Sequence, residues 1–152
     1  MENLQKILGT HPLFADLATR HLELLVGCAS NVRFGAGEFI FHEGEEAEKF
    51  YLLREGKVAL QITSERRGPL NILTLGEGDI LGWSWLFPPY RWKFSARTID
   101  PTRAFAMDGH CLRDKAEKDH DLGYELLKGF SRVFEVRLET MRLQLANVYE
   151  DK

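Results

Sequence analysis

The chain has 152 residues, of which 44% are hydrophobic and 28% charged, which is enough to bury one core. Its net charge of −3 argues against a surface that neutralises nucleic-acid phosphates, so we expect no direct nucleic-acid partner. No apolar run approaches the roughly 18 residues that a membrane helix needs, and no signal peptide is visible at the N-terminus. We therefore expect no membrane partner and a cytoplasmic location.

Residues 1–30 are predicted to be helical. Apolar side chains recur there at spacings of three and four, which is typical of amphipathic helices: Leu4, Ile7, Leu8, Leu22, Leu25 and Val26. His11 and Pro12 interrupt this pattern and predict the start of a new short helix.

Cys28 and Cys111 are the two cysteines of the chain. They are too few and too far apart in the sequence for a disulfide framework or a cysteine-rich metal site. Buried, reduced thiols in a cytoplasmic protein are the simplest interpretation.

Residues 31–108 change to an apolar period of two, and glycine-containing turns follow at short intervals. The predicted strands are residues 38–41, 50–54, 57–63, 70–75, 94–99 and 103–107. Many short strands at regular spacing indicate an antiparallel sandwich or barrel.

Residues 109–152 return to helical spacing. A short helix is predicted at residues 111–118, and Asp119 or Asp121 can cap a final helix over residues 121–149. A second apolar row flanks only the first half of that helix: Leu122, Leu126, Val133 and Val136. The first half therefore has two apolar faces, enough for the barrel and for something else.

The main apolar row of the final helix is too long to stay exposed. It either folds back onto its own barrel or pairs with a second copy, and we favour a parallel coiled-coil homodimer. The residues predicted to form the dimer interface are Leu127, Phe130, Phe134, Leu138, Met141 and Leu145.

Three segments carry a resemblance to a known family. Residues 34–58 read FGAGEFIFHEGEEAEKFYLLREGKV, residues 11–17 read HPLFADL, and residues 78–82 read GDILG. Together they closely resemble the cyclic nucleotide-binding domain family, most of all its bacterial catabolite-activator type. The resemblance covers almost the whole chain and implies one domain of a mainly β fold with flanking helices.

The expected fold is an eight-stranded, jelly-roll-like β-roll, or double-stranded β-helix, with a pocket between its sheets. A long C-terminal helix is expected to form the dimer and close over the ligand. Transcription regulators of the family continue from that helix into a DNA-binding helix-turn-helix, whereas this chain ends at Lys152. The resemblance therefore implies a stand-alone sensor domain whose protein partner is unknown.

The ligand-binding segment departs from the family's pattern. In the family, backbone N–H groups and an arginine hold the cyclic phosphate, and a glutamate accepts from the ribose 2′-hydroxyl. By register the glutamate position is Trp83 and the arginine position is Phe94. An indole N–H only donates and a phenyl ring does neither. The loss should cost on the order of 3–5 kcal/mol, so we expect cAMP binding weaker than millimolar.

The candidate ligand-binding residues follow the same register: Gly82, Trp83, Ser84, Trp85, Arg91, Trp92, Phe94, Ser95 and Ala96. Arg91 is a candidate replacement for the missing arginine, and the Ser95 hydroxyl is a further anion contact. Strand alternation places Arg97 on the face opposite Phe94, which makes it a weaker candidate.

The aromatic side chains of residues 83–94 leave two interpretations open. They form a pocket refitted for a flat or apolar effector, or they plug the pocket and leave a ligand-free dimeric scaffold that binds a protein. The effector of the first interpretation is a cyclic nucleotide or an apolar or aromatic molecule. The sequence favours neither interpretation.

Metal and catalytic signals are weak. The five histidines are scattered and include no His-x-His pair of the metal-binding cupin kind, so we expect no metal site. No nucleophile, zinc-protease or phosphate-binding loop motif is present, and we expect no enzymatic activity.

Overall fold

A computed structural model describes residues 2–150 of the chain. Within these residues eight strands form two four-stranded antiparallel sheets, with the orders β1-β8-β3-β6 and β2-β7-β4-β5. The strands are β1 Ala29–Phe34, β2 Phe39–Phe41, β3 Lys49–Glu55, β4 Val58–Ser64, β5 Gly68–Leu75, β6 Ile80–Leu81, β7 Ser95–Thr98 and β8 Thr102–Asp108. The mainly β, jelly-roll-like fold expected from the sequence is confirmed.

Four α-helices and one short 3₁₀ helix accompany the sheets in this part of the chain. They are α1 Glu2–Thr10, α2 Thr19–Val26, the 3₁₀ helix Ser84–Leu86, α3 Gly109–Lys118 and α4 His120–Glu150. None of these helices is both long enough and apolar enough to cross a membrane.

The helix predicted to start at His11 and Pro12 is not found there. Residues 11–16 form turns instead, and α2 begins at Thr19. The side chain of His11 accepts a hydrogen bond from the Leu13 amide at 3.1 Å, and its carbonyl accepts from the Phe14 amide at 2.9 Å. These local bonds hold a turn in place of a helical start.

The core has two halves on either side of the sheet that contains β3 and β8. Because side chains alternate along a strand, Phe50 and Leu52 of β3 pack toward the helices, whereas Tyr51 and Leu53 pack between the two sheets. The helical half of the core is completed by residues such as Phe14, Leu25, Trp85, Phe105, Leu112 and Phe130.

Cys28 and Cys111 form a disulfide, so the prediction of reduced thiols is wrong. Their Cα atoms lie 5.7 Å apart although 83 residues separate them along the chain. The antiparallel pairing of β1 with β8 sets Ala29 opposite Met107, and this register brings the residues just outside both strands together. The prediction of a cytoplasmic location loses the support of reduced thiols and stays a prediction.

Asp119, rather than Asp121, caps α4. Its Oδ1 accepts from the Leu122 amide at 3.3 Å, and its other oxygen accepts from Arg20 and from the buried ring of His21. These bonds fix the start of a 31-residue helix that reaches across the β-roll.

Candidate ligand-binding site

A cavity of about 370 Å³ lies between the β4–β5 hairpin and α4. Its strand side consists of Leu60, Ile72 and Leu73, and its helix side of Phe134, Arg137, Leu138 and Met141. The Gln144 side chain donates to the Ile72 carbonyl at 3.0 Å, which holds α4 against β5 beyond the cavity. The cavity is thus bordered by elements that are distant in the sequence and is partly open to solvent at Leu138.

Three aromatic rings complete the wall of the cavity: Trp83, Phe87 and Phe94. The Trp83 ring stands edge-on to Phe134 of α4, with 5.0 Å between the ring centroids, and edge-on to Phe94 at 6.5 Å. Edge-to-face packing of this kind suits the charge distribution of aromatic rings. The wall is therefore a connected aromatic surface that runs from the β-roll to α4.

The sequence register predicts that Trp83 and Phe94 take the positions at which the family's pattern has its glutamate and arginine. Neither side chain carries a charge, and of the two only the Trp83 indole can form a hydrogen bond, as a donor. At this wall a ligand would make apolar contacts, and no side chain there is suited to bind both a phosphate and a ribose hydroxyl.

Arg137 of α4 is the single ionisable residue among the described residues that line the cavity. It is only 8% exposed, its Nη2 donates to the Ile80 carbonyl, and its Cζ lies 5.5 Å from the Trp83 ring centroid. Burial lowers the pKa of Arg137, and the nearby carboxylate of Asp79 partly offsets that effect. Its Nη1 is buried and donates to no acceptor among the described residues.

Sequence reasoning missed Arg137. The residue follows Phe130 and Val133 at spacings of three and four, so it lies on a face of α4 that is otherwise apolar. An arginine in such a row was the signal that could have identified it.

The aromatic segment does not act as one pocket wall. Trp85 is 1% exposed and stacks on Phe50 in the helical half of the core, with 5.2 Å between centroids. Trp92 stacks on Phe41 between the sheets, with 3.7 Å between the ring centroids and 7° between the ring planes. The ligand-contact prediction is therefore corrected for Trp85 and Trp92, because both rings are committed to the core.

Gly82 and Ser84 sit at the start of the short helix, beneath the aromatic wall. Gly82 has φ of +94°, and a Cβ there would lie 2.6 Å from the Trp92 ring. The indole of Trp92 thus covers the backbone that the resemblance assigns to phosphate binding. Ser84 is buried.

Arg91 does not reach the cavity, which corrects its predicted role as a replacement for the missing arginine. Its Nη1 donates to the Gly44 carbonyl at 3.0 Å, and its backbone bridges to Glu46 at a separate surface groove. The Gly44 carbonyl holds the side chain at that surface.

β7 distributes the remaining candidates over its two faces. The Ser95 hydroxyl accepts from the Glu43 amide at 2.9 Å, and Ala96 is fully buried between the sheets. Arg97 is exposed and donates to the Gly37 carbonyl, so its predicted orientation away from the pocket is confirmed.

The residues predicted for the dimer interface fall into three groups. Phe130 is fully buried in the core of its own chain, so its assignment to an interface is corrected. Phe134 and Met141 are half-buried and line the cavity. Leu127, Leu138 and Leu145 remain exposed.

No group of three His, Cys, Asp or Glu side chains suited to a metal ion occurs in the described part of the chain.

An eight-stranded β-roll with a long C-terminal helix over a cavity matches the fold of cyclic nucleotide-binding domains. Residues 31–119 match the cyclic nucleotide-binding domain family. The chain belongs to this family, which confirms the resemblance seen in the sequence.

Two of the proteins similar to the chain share 29% identity with it. The first is the CRP-like cAMP-activated global transcriptional regulator of Mycobacterium tuberculosis, matched over 133 residues, 85% of this chain and 58% of that protein. The chain thus spans 58% of the length of that regulator. The second is a candidate cyclic nucleotide-binding protein from Geobacter metallireducens GS-15, whose crystal structure superposes with a TM-score of 0.80 over 88% of this chain and 97% of that one.

A third structure shares the fold at lower identity. It is a cyclic nucleotide-binding domain from Methylobacillus flagellatus KT, with a TM-score of 0.80, 18% identity, and coverage of 96% of this chain and 83% of that one.

Proposed function

We propose that the chain is a non-catalytic sensor domain whose effector occupies the cavity beneath α4 and is not cAMP held in the family's usual manner. The observation that carries the proposal is that Trp83 and Phe94, which the sequence register assigns to the family's two polar ligand positions, line the cavity wall. A phosphate buried against these rings would lack its cationic partner, which costs several kcal/mol.

The size and lining of the cavity support a small organic effector. Its volume of about 370 Å³ falls within the range common for small-molecule sites, roughly 300–1,000 Å³. Aliphatic and aromatic side chains make up almost the entire lining, so most of the binding free energy would come from apolar surface. An effector with a flat or apolar body fits this lining.

The proposed output is a change in a dimer formed by α4. Leu138 and Met141 line the cavity, and Leu138, at 70% exposed, also faces solvent. A bound effector would therefore contact the same stretch of helix that we propose to pair with a second copy. This arrangement links occupancy of the cavity to the geometry of the dimer.

The decisive experiment is calorimetric titration of the protein with cAMP and with cGMP, together with native mass spectrometry of the freshly purified protein. We expect cAMP binding weaker than about 1 mM, because the phosphate has no cationic partner at Phe94. We also expect a co-purified small molecule. Micromolar affinity for cAMP would overturn the proposal.

A second candidate function is a ligand-free dimeric scaffold that binds a protein partner. The packing of Trp92 against Gly82 favours it, because that ring fills the space next to the short helix. In that case neither titration nor mass spectrometry would detect a ligand, and a crystal structure would show Trp83 and Phe94 closing the cavity. A bound molecule in contact with Phe94 would rule this function out.

A further inference from the structure

Arg137 places a positive charge at the edge of an apolar cavity, and not all of its buried N–H groups have a hydrogen-bond acceptor among the described residues. One of its terminal nitrogens donates to the Ile80 carbonyl, and the other, Nη1, is buried with no acceptor among the described residues. A guanidinium stays protonated in proteins, so the charge persists when its side chain is buried. A buried charged donor without an acceptor is costly.

The hydrogen bond from Arg137 Nη2 to the Ile80 carbonyl needs a donor but not a charge. Replacing a buried ion pair by well-packed apolar side chains is often neutral or stabilising, so a buried charge is weak evidence of a need in the fold. The neighbours of Arg137 on the cavity side are Trp83, Phe134, Leu138 and Met141, against which such a side chain would pack well. The charge of the guanidinium therefore indicates a role in binding a ligand in the cavity.

We propose that the effector is a flat, apolar monoanion whose anionic group accepts a hydrogen bond from Arg137 Nη1 while its body lies along Trp83 and Phe94. The inference rests on the proposed function, since it uses the same cavity. It replaces the arginine that the family's pattern has on the β-roll with one supplied by α4.

Arg137 also borders a second cavity, of about 330 Å³, on another side of α4. That cavity is lined by Asp79, whose carboxylate would repel an anion, and by the exposed, cationic Arg132. No acidic side chain is among the described residues that line the aromatic cavity. The two linings carry the same net formal charge, but an anion would meet Arg137 without a neighbouring carboxylate only in the aromatic cavity.

The position of Arg137 gives the anion a structural consequence. Arg137 belongs to α4, and its Nη2 bonds to β6 through Ile80. An anion on Nη1 would add a link between the effector and both elements. Binding at Arg137 would thus hold α4 against the β-roll.

The test compares two probes of the same shape, 2-naphthoate and 2-naphthamide, by calorimetric titration of the full chain, with cAMP as a third ligand. We expect the wild type to bind the carboxylate at least about tenfold more tightly than the amide, since a hydrogen bond to a charged group adds that much. In Arg137→Met the carboxylate should lose on the order of 10- to 100-fold in affinity while the amide is unaffected.

Two further variants separate the anion contact from general effects. Arg137→Lys keeps the charge and should retain part of the preference for the carboxylate. Arg132→Met removes an exposed arginine five positions earlier on α4 and should leave both affinities unchanged. If Arg137→Met does not fold, the comparison of the two probes in the wild type still decides the matter.

The outcomes distinguish this inference from the proposed function. Equal affinity of the wild type for carboxylate and amide overturns the anion contact and leaves the apolar effector pocket standing. Micromolar binding of cAMP that depends on Arg137 supports the anion contact but overturns the proposed function. Binding of neither naphthalene probe at millimolar concentration overturns both.

Discussion

Gly129 shows how closely α4 approaches the turn between α1 and α2. A Cβ at this position would lie 2.6 Å from the Leu13 carbonyl oxygen and 2.7 Å from the Leu13 Cδ1. The oxygen belongs to the backbone and cannot move aside as the end of a side chain can. Gly123, six residues earlier in the same helix, has only an ordinary contact, 3.4 Å from the Ala116 Cβ.

This difference predicts opposite effects for the same substitution at two sites of one helix. Gly129→Ala should lower the free energy of unfolding by about 1–3 kcal/mol, because the close contact with Leu13 must open. Gly123→Ala should be neutral or stabilise by up to about 1 kcal/mol through its higher helix propensity. Urea denaturation followed by far-ultraviolet circular dichroism measures both. A Gly129→Ala variant as stable as Gly123→Ala would contradict the close approach of Gly129 to Leu13.

At the scale of single residues, sequence reasoning identified the site only in part. Register within a family resemblance placed Trp83 and Phe94 at the candidate pocket, and both line the cavity, while their contact with a ligand stays a prediction. Trp85 was misassigned because its ring, two residues after Trp83, turns inward onto Phe50 and Phe130 in the helical half of the core. Arg137 was missed because a single arginine in a helix usually indicates a solvated face, and its place in an apolar row gains weight only with its burial, at 8% exposed.

At the scale of elements, the six predicted strands agree with the structure to within about two residues at each end, because alternation and glycine turns are local signals. β1 and β6 were missed for a different reason. β6 has two residues, and its pairing with Tyr51 and Leu52 of β3 is set by contacts far away in the sequence. β1 pairs with β8 over its whole length, and this long-range pairing leaves no local pattern in the sequence of β1.

The disulfide between Cys28 and Cys111 is expected to stabilise the fold by joining distant elements. It connects the end of α2 to α3 and closes a long loop that contains the whole β-roll. Constraining an unfolded chain of this length stabilises the folded state, and we expect Cys28→Ser with Cys111→Ser to lower the free energy of unfolding by about 2–4 kcal/mol.

Denaturation with and without a thiol reductant measures this effect. The wild type should lose stability on reduction, whereas the double serine variant, which serves as the control, should not respond to the reductant. Wild-type stability that is insensitive to reduction would contradict the prediction.

At the scale of the whole molecule, α4 has three tasks along its length. Its first half completes the core through Leu122, Leu126 and Phe130, and its middle closes the cavity. Its last turns extend past the β-roll with Leu145 and Val148 exposed. An exposed apolar row that continues a cavity wall is the feature through which the proposed effector would act on the proposed second copy.

Leu145 and Leu143 allow the proposed dimer to be tested with one type of substitution. Both are exposed, at 56% and 53%, but two residues along a helix turn the side chain by roughly 200°, so they lie on nearly opposite faces. Leu145 continues the row of Leu138 and Met141, whereas Leu143 does not.

We expect the wild type and Leu143→Glu to be dimers and Leu145→Glu to be a monomer, because a pair of facing carboxylates cannot be buried without a partner. Size-exclusion chromatography with light scattering measures the three masses, and circular dichroism shows whether each variant is folded. A wild type that is monomeric at every concentration, or equal masses for the two variants, would show that α4 does not pair through this row, and the sensor would then have to signal through another surface.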